Sequence, residues 1–383
     1  MRIRFQRRRS EIAHTTHPAL QPQRIGTIEL RNRLAVAPMT RVSASPDGTP
    51  TDEMADYYRD FARGGFGVVI TEGTYTDTTH SQGYLNQPGL ATDAHIEGWR
   101  LIVDGVHSEG VPVIAQLMHA GALSQGNSHG VGTIAPSAVA PRGTKLEEYG
   151  GSGSWPTPRE MSRTDIDCVI GGFVDTAVRA RDAGFDGVEV HAANGYLLDQ
   201  FLTDYTNARG DEFGGSVANR IRLTARVVAG IRDRLGADFL LGVRVSQTKV
   251  NDFTYRWPGG AADAETIFPA LADAGADYLH IASEGRDFIE TARLSDGRTI
   301  TALAREVSGL PVMANGGMHD LDQTSAVLDG GHADLVSIGR GALSNPDLPA
   351  RLLAGESLEP FDHTMLSPMA TIANARAWRV GVS

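Results

Sequence analysis

The chain has 383 residues, 41% hydrophobic and 21% charged, with a formal net charge of −11. That length accommodates one large barrel or two smaller domains, and no apolar run reaches the roughly 18 residues of a membrane span. The acidic balance argues against a nucleic-acid partner, and the single cysteine, Cys168, excludes an internal disulfide, a thiolate zinc site and an iron–sulfur cluster.

The amino terminus carries Arg2, Arg4, Arg7, Arg8 and Arg9. The residues that follow, 10–22, lack the apolar stretch of a secretory or twin-arginine signal. Residues 1–21 are expected to be a disordered basic arm, and the protein cytoplasmic. Residues 24–32 alternate about Gly26 and are too short for a full repeat, which suits a hairpin closing a barrel floor. A junction then recurs: a helical pattern, a small Gly-containing turn, and four or five apolar residues. The predicted strands are 34–37, 68–71, 113–116, 187–191, 240–245, 278–281, 312–314 and 335–338. Matching turns, Ala183-Gly184-Phe185-Asp186, Ala274-Gly275-Ala276-Asp277 and Gly330-Gly331-His332-Ala333-Asp334, precede three of the later strands; glycine there supplies the left-handed helix cap. Continuous apolar strands alternating with helices mean a parallel sheet covered on both faces. Eight such units predict an α/β fold, a single (β/α)₈ TIM barrel over residues 22–368. The Gly-, Ser- and Pro-rich stretch 117–161 is expected as a capping excursion after the third strand. Cys168 falls in a helical pattern and is expected to be buried packing. Residues 369–383, with Trp378 and Arg379, are expected as a solvated tail.

In a parallel barrel the carboxyl ends of the strands carry the chemistry. Those ends hold Pro38-Met39-Thr40, Glu72-Gly73, Gln116, His191 with Asn194 and Tyr196, Arg244, Asn315-Gly316-Gly317 and Gly339-Arg340. Gly316 and Gly317 let backbone N–H groups approach an anion and Arg340 adds charge, a phosphate site; the bland alternative is a plain turn. Gln116 pairs donor with acceptor and Arg244 holds negative charge, which suits a flat heterocycle with amide-like edges. His191 and Asn194 can grip one oxygen, and Tyr196 offers a proton; alone, His191 reads as a satisfied core histidine. The nearest acid, Glu189, is expected on the opposite face of its strand, leaving His191 without metal co-ligands.

From about Pro22 to Pro368 the chain resembles the old yellow enzyme family of FMN-dependent ene-reductases. The matching segments are NRLAVAPMT (32–40), VVITEGT (68–74), IAQLMHAG (114–121), HAANGYLLDQFL (191–202), Asn207 through Arg209 and Gly214-Gly215 to Asn219-Arg220, GVRVS (242–246), ANGG (314–317) and SIGRGALSNPDL (337–348). The resemblance implies that Pro38, Met39, Thr40, Gly73, Gln116, Arg244, Gly317, Gly339 and Arg340 hold FMN. It also implies that His191 and Asn194 bind the electron-withdrawing group of the substrate and that Tyr196 donates the proton. NADH or NADPH would reduce the flavin, and an α,β-unsaturated carbonyl or nitro compound, the activated alkene, would take its place and be reduced. A phenol with an ordinary pKa near 10 stays protonated at neutral pH and can give its proton to the α carbon. Thr40 replaces the cysteine of some members, so a threonine-type flavin environment is expected. A homo-oligomer is compatible with the pattern. The alternatives are a catalytically silent flavin-binding protein, a flavin barrel acting on another substrate class, or an NAD(P)-dependent barrel without flavin. The last leaves Gln116, Arg244 and the phosphate site unexplained.

Overall fold

The computed structural model describes residues 17–282 and 288–382; the arginines of the expected basic arm lie outside the described residues. Eight parallel strands build the fold: β1 (Leu34–Val36), β2 (Val68–Ile70), β3 (Val113–Met118), β4 (Gly187–Asn194), β5 (Leu240–Lys249), β6 (Tyr278–Ala282), β7 (Val312–Asn315) and β8 (Leu335–Ile338). Each pairs with its sequence neighbours, and β8 pairs with β1, closing the ring. This is the (β/α)₈ barrel that the eight repeated junctions imply. β3, β4 and β5 outrun their expected ends because the extra residues find partners. Leu117 and Met118 pair with Thr74 and Tyr75, and Lys249 pairs with Asn194 across a register shift.

The recurring turns explain how the strands start in register. Gly184, Gly275 and Gly331 take φ of 96°, 103° and 69°, which glycine adopts without steric cost. The aspartate that follows then staples the strand before it. Asp186 Oδ2 accepts from the Val113 amide at 2.7 Å, Asp277 Oδ2 from Leu241 at 2.8 Å, and Asp334 Oδ2 from Val312 at 2.9 Å. Arg232 donates to Asp277 at 2.7 Å and Arg305 to Asp334 at 2.8 Å, tying the preceding helices to the same carboxylates.

Two apolar layers hold the barrel. Inside, Ala35, Val68, Ile70, Ile114, Leu240, Tyr278, Met313 and Leu335 fill the lower half. Beneath them the antiparallel hairpin Gln23–Ile25 with Ile28–Leu30 inserts Ile25 and Leu30, plugging the floor as its alternation implies. Outside, Val36, Val69, Val188 and Val243 meet helix residues such as Phe61, Trp99 and Phe173. The helix Arg163–Asp182 opens on a capping box of Ser162 and Asp165 and turns Ile166, Val169, Phe173 and Ala177 to the barrel. Cys168 lies off that stripe and is exposed, contrary to the expected burial.

Two boundaries differ from expectation. His17, inside the stretch read as an arm, lies against the barrel, with Nε2 at 3.2 Å from Leu321 O and 2.9 Å from Ser325 Oγ. The carboxyl-terminal stretch is not a solvated tail: Ile372–Val382 is a helix. Its start is fixed by Arg41 Nη2 donating to Thr371 O at 2.8 Å and by the Ile372 amide donating to Ser43 Oγ at 2.9 Å. Trp378 Nε1 donates to Thr364 Oγ1 at 2.9 Å, and Arg379 bonds Leu343 O. Among the described residues no helix is long and apolar enough to cross a membrane.

Asp277→Ala removes an acceptor shared by a strand amide and an arginine. It is expected to lower unfolding free energy by about 1–3 kcal/mol, the usual range for bonds to charged groups. A urea midpoint identical to wild type would show that the staple is dispensable.

Candidate active site

Above the apolar floor, inward positions turn polar. Gln116 on β3, Glu189 on β4, Arg244 on β5, His280 on β6, Asn315 on β7 and Ser337 on β8 form one layer, and all but the rim residue Asn315 are buried. Gln116 Nε2 donates to Glu189 Oε1 at 2.8 Å, and Arg244 Nη2 donates to Asn315 Oδ1 at 3.0 Å. Glu189 therefore faces the barrel interior on the same side of β4 as His191. The expected opposite face is wrong because residues two apart on a strand share a face.

A cavity of about 730 Å³ opens over this layer at the carboxyl ends of the strands. Of the strand-end residues singled out from the sequence, Pro38, Met39, Thr40, Gly73, Gln116, His191, Asn194, Tyr196, Arg244, Asn315, Gly316, Gly317, Gly339 and Arg340 line it, and Glu72 does not. A Cβ at Gly73 would sit 2.5 Å from Met118 Sδ, so any side chain there would have to displace Met118. Gly316 and Gly317 take φ of 133° and 66°, conformations that bring bare backbone to the wall. Arg340 opens the short helix Arg340–Ser344 beside them. The excursion after β3 does cap the mouth, contributing Leu146 to Tyr149, while Phe253 comes from beyond β5 and His363 to Ala370 from the carboxyl-terminal segment.

The turn after β4 is held with unusual care. Asn194 has φ of 63°, and its amide donates to Ser246 Oγ at 2.8 Å while its carbonyl accepts from the Val250 amide at 3.1 Å. The next amide, Gly195, donates to Asp199 Oδ2 at 2.7 Å; the other oxygen of Asp199 accepts from Lys249 Nζ at 2.6 Å. Both side chains of that ion pair are fully buried. A left-handed asparagine is uncommon, and these bonds over-determine it. Burial pushes the His191 pKa down to about 3, and the charge of Arg244 adds to the effect, so its imidazole is neutral at neutral pH. The buried His191 Nδ1 has no hydrogen-bond partner among the described residues. Tyr196 lies with its ring centroid 5.1 Å from that of His191, and its hydroxyl is 2.5 Å from the Tyr84 hydroxyl. Tyr84 in turn packs on Tyr149 with centroids 4.7 Å apart. Burial, with the neighbouring phenols, holds Tyr84 well above its ordinary range.

Sequence reasoning missed Glu189, His280 and Ser337 as members of the site. Their signal was present: each is a polar residue at an inward period-two position in an otherwise apolar strand. Lys249 and Tyr84 carried no such signal, since their partners lie 50 and 112 residues away. Among the described residues no cluster of three or more His, Cys, Asp or Glu is arranged to hold a metal ion.

Residues 19–359 match the family model described as NADH:flavin oxidoreductase / NADH oxidase family. The chain is 36% identical over 353 residues to a chanoclavine-I aldehyde reductase of Penicillium roqueforti, covering 89% of this chain and 90% of that protein. It is 31% identical over 377 residues to a metal reductase of Desulforamulus reducens; 94% of this chain aligns, but it spans only 53% of that longer relative. In structure it is similar to the old yellow enzyme homologue of Zymomonas mobilis, with a TM-score of 0.82, 32% identity, and coverage of 92% and 96% of the two chains.

Lys249→Met leaves Asp199 as an unpaired buried charge and is expected to cost about 3–5 kcal/mol of stability. Lys249→Met combined with Asp199→Leu should recover part of that loss in the same thermal or urea denaturation. A single substitution with no loss, or a double one worse than the single, contradicts the pairing.

Proposed function

The chain belongs to the NADH:flavin oxidoreductase / NADH oxidase family, and from that membership we propose an FMN-dependent ene-reductase that uses NADH or NADPH to reduce activated alkenes. The observation that carries this reading is the convergence on one cavity of Gln116 and Arg244, the glycines with Arg340, and the triad His191, Asn194 and Tyr196. The residues fit the cofactor. Gly316, Gly317, Gly339 and Arg340 would hold its phosphate, and Gln116 and Arg244 the polar edge of its ring. Pro38, Met39 and Gly73 would line the ring, and Thr40 would donate a hydrogen bond to its O4 side. FMN bound there supplies a two-electron acceptor for NAD(P)H and a hydride donor to the β carbon of the alkene.

The remaining chemistry belongs to the chain. His191 lines the cavity beside Asn194 and Tyr196, which supports a role in binding a ligand oxygen there. A neutral imidazole and the Asn194 amide can both donate to that oxygen as negative charge gathers on it. The clamped turn around Asn194 keeps this donor pair preorganised, and the geometry costs nothing further when the substrate arrives. Tyr196 gives its proton to the α carbon, and the Tyr84 hydroxyl beside it can donate to the oxygen left behind. The cap residues Leu146 and Tyr149, with Phe253, shield the mouth from bulk water. The exposed acids Glu147 and Glu148 on the same rim support neutral alkenes over carboxylates as substrates.

Purified protein is expected to be yellow with about one FMN per chain, and Arg340→Ala to retain the cofactor markedly less well than wild type because a charge-assisted phosphate contact is lost. A wild type that stays colourless after incubation with FMN defeats the reading. Tyr196→Phe should leave flavin reduction by NAD(P)H nearly intact and slow cyclohexenone reduction by roughly 10²- to 10⁴-fold, the usual worth of a positioned general acid. Stopped-flow traces showing equal losses in both half-reactions would make Tyr196 structural.

A further inference from the structure

The polar layer below the cavity contains a charge that the chemistry above it does not use. Glu189 is fully buried on β4. Its Oε1 accepts from Gln116 Nε2 at 2.8 Å, and its Oε2 accepts from Tyr278 OH at 3.0 Å and from His280 Nδ1 at 2.9 Å. Arg244 Nη1 lies 2.7 Å from His280 Nε2 and 3.2 Å from its Nδ1, and Ser337 Oγ lies 2.8 Å from Nε2. The chemistry of the partners fixes the protons. An ionised carboxylate only accepts, so Nδ1 carries the hydrogen; a guanidinium only donates, so Nε2 is the acceptor. His280 is thus a neutral bridge, consistent with burial and the nearby Arg244 charge lowering its pKa to about 4. Burial works to raise the Glu189 carboxyl, but the hydrogen bonds from His280 and Gln116 and the charge of Arg244 oppose it and favour the ionised form. Among the described residues of the layer, Glu189 and Arg244 are thus an anion and a cation joined through a neutral ring.

We propose that Glu189 is the counter-charge of Arg244, relayed through His280, that restrains the affinity of the flavin for electrons and fixes the Gln116 amide. The inference rests on the reading that the flavin ring lies against Gln116 and Arg244. Reduction adds negative charge to the ring, which Arg244 favours and Glu189 opposes, and charges in a water-poor interior are screened less than at the surface. Arg244 alone would stabilise the reduced form and make hydride delivery to an alkene less favourable. The opposing carboxylate keeps both half-reactions within reach. The same carboxylate takes an N–H of Gln116, which leaves the amide oxygen available to accept from the ring.

The test is the two-electron potential of the FMN-loaded protein, measured by dye equilibration in wild type, Glu189→Gln and Tyr278→Phe. Glu189→Gln removes the negative charge with little change in shape. It should raise the potential by at least a tenfold shift of the reduction equilibrium, about 30 mV for a two-electron couple. Tyr278→Phe removes a donor from the same carboxylate, leaves its charge less compensated, and should lower the potential. An unchanged or lowered potential in Glu189→Gln, or shifts of the same sign in the two variants, overturns the proposal. If Glu189→Gln fails to retain FMN, the Tyr278→Phe measurement decides: a fall supports the counter-charge, and no change or a rise refutes it. A wild type that itself binds no FMN defeats the proposed function instead.

Discussion

Closing eight parallel strands into a ring forces alternate residues of every strand inward, and the strand-to-strand register sets the height at which each arrives. The rest of the structure follows from that constraint. Leu240, Tyr278, Met313 and Leu335 fall at the bottom and pack as an apolar plug with the hairpin. Two residues on, β6, β7 and β8 deliver His280, Asn315 and Ser337, and β5 delivers Arg244 four residues beyond Leu240. The apolar layer excludes water from below, so the polar layer must satisfy itself from within, and it does so through the Gln116–Glu189–His280–Arg244 chain. At the next level the strands end, and the side chains and bare glycines there face a cavity instead of a core.

This layering explains why a mouth of mixed chemistry can sit on a rigid fold. The aspartate staples Asp186, Asp277 and Asp334 fix where strands start, so the positions of their ends are inherited. β4 and β5 then continue past the ring as a pair, and their extension clamps the Asn194 turn through Ser246, Val250 and the Asp199–Lys249 ion pair. A buried ion pair is weak evidence for stability, because two desolvation costs oppose the attraction. Its value here is positional: one carboxylate oxygen is neutralised by Lys249 while the other holds the Gly195 amide next to Asn194.

The architecture was legible in the sequence because repetition and period are local properties. Eight apolar runs with glycine turns identify the barrel, and the identity of residues just past each run identifies the mouth. Three errors have physical causes. Glu189, a charged residue in an apolar run, looks misplaced on the inner face until its partners on β3 and β6 are known. Cys168 and the segment around Trp378 depend on which face of a helix meets the barrel, and the second of these is decided by Arg41, Ser43, Leu343 and Thr364, far away in sequence. The Tyr84 and Tyr196 hydroxyls meet only because the loop after β2 folds over the end of β4.

The proposed function splits alkene reduction between a hydride from the nicotinamide, carried by the flavin, and a proton that the protein supplies from solvent. The most direct measurement is the position of label in product from 2-methylcyclohexenone. Turnover in heavy water with unlabelled NADH should place deuterium at the α carbon only, and turnover in ordinary water with NADH deuterated at its transferable C4 position should place it at the β carbon. Solvent label at the β carbon in place of the α carbon, nicotinamide label at the α carbon, or no alkene reduction by a fully FMN-loaded protein would contradict the account.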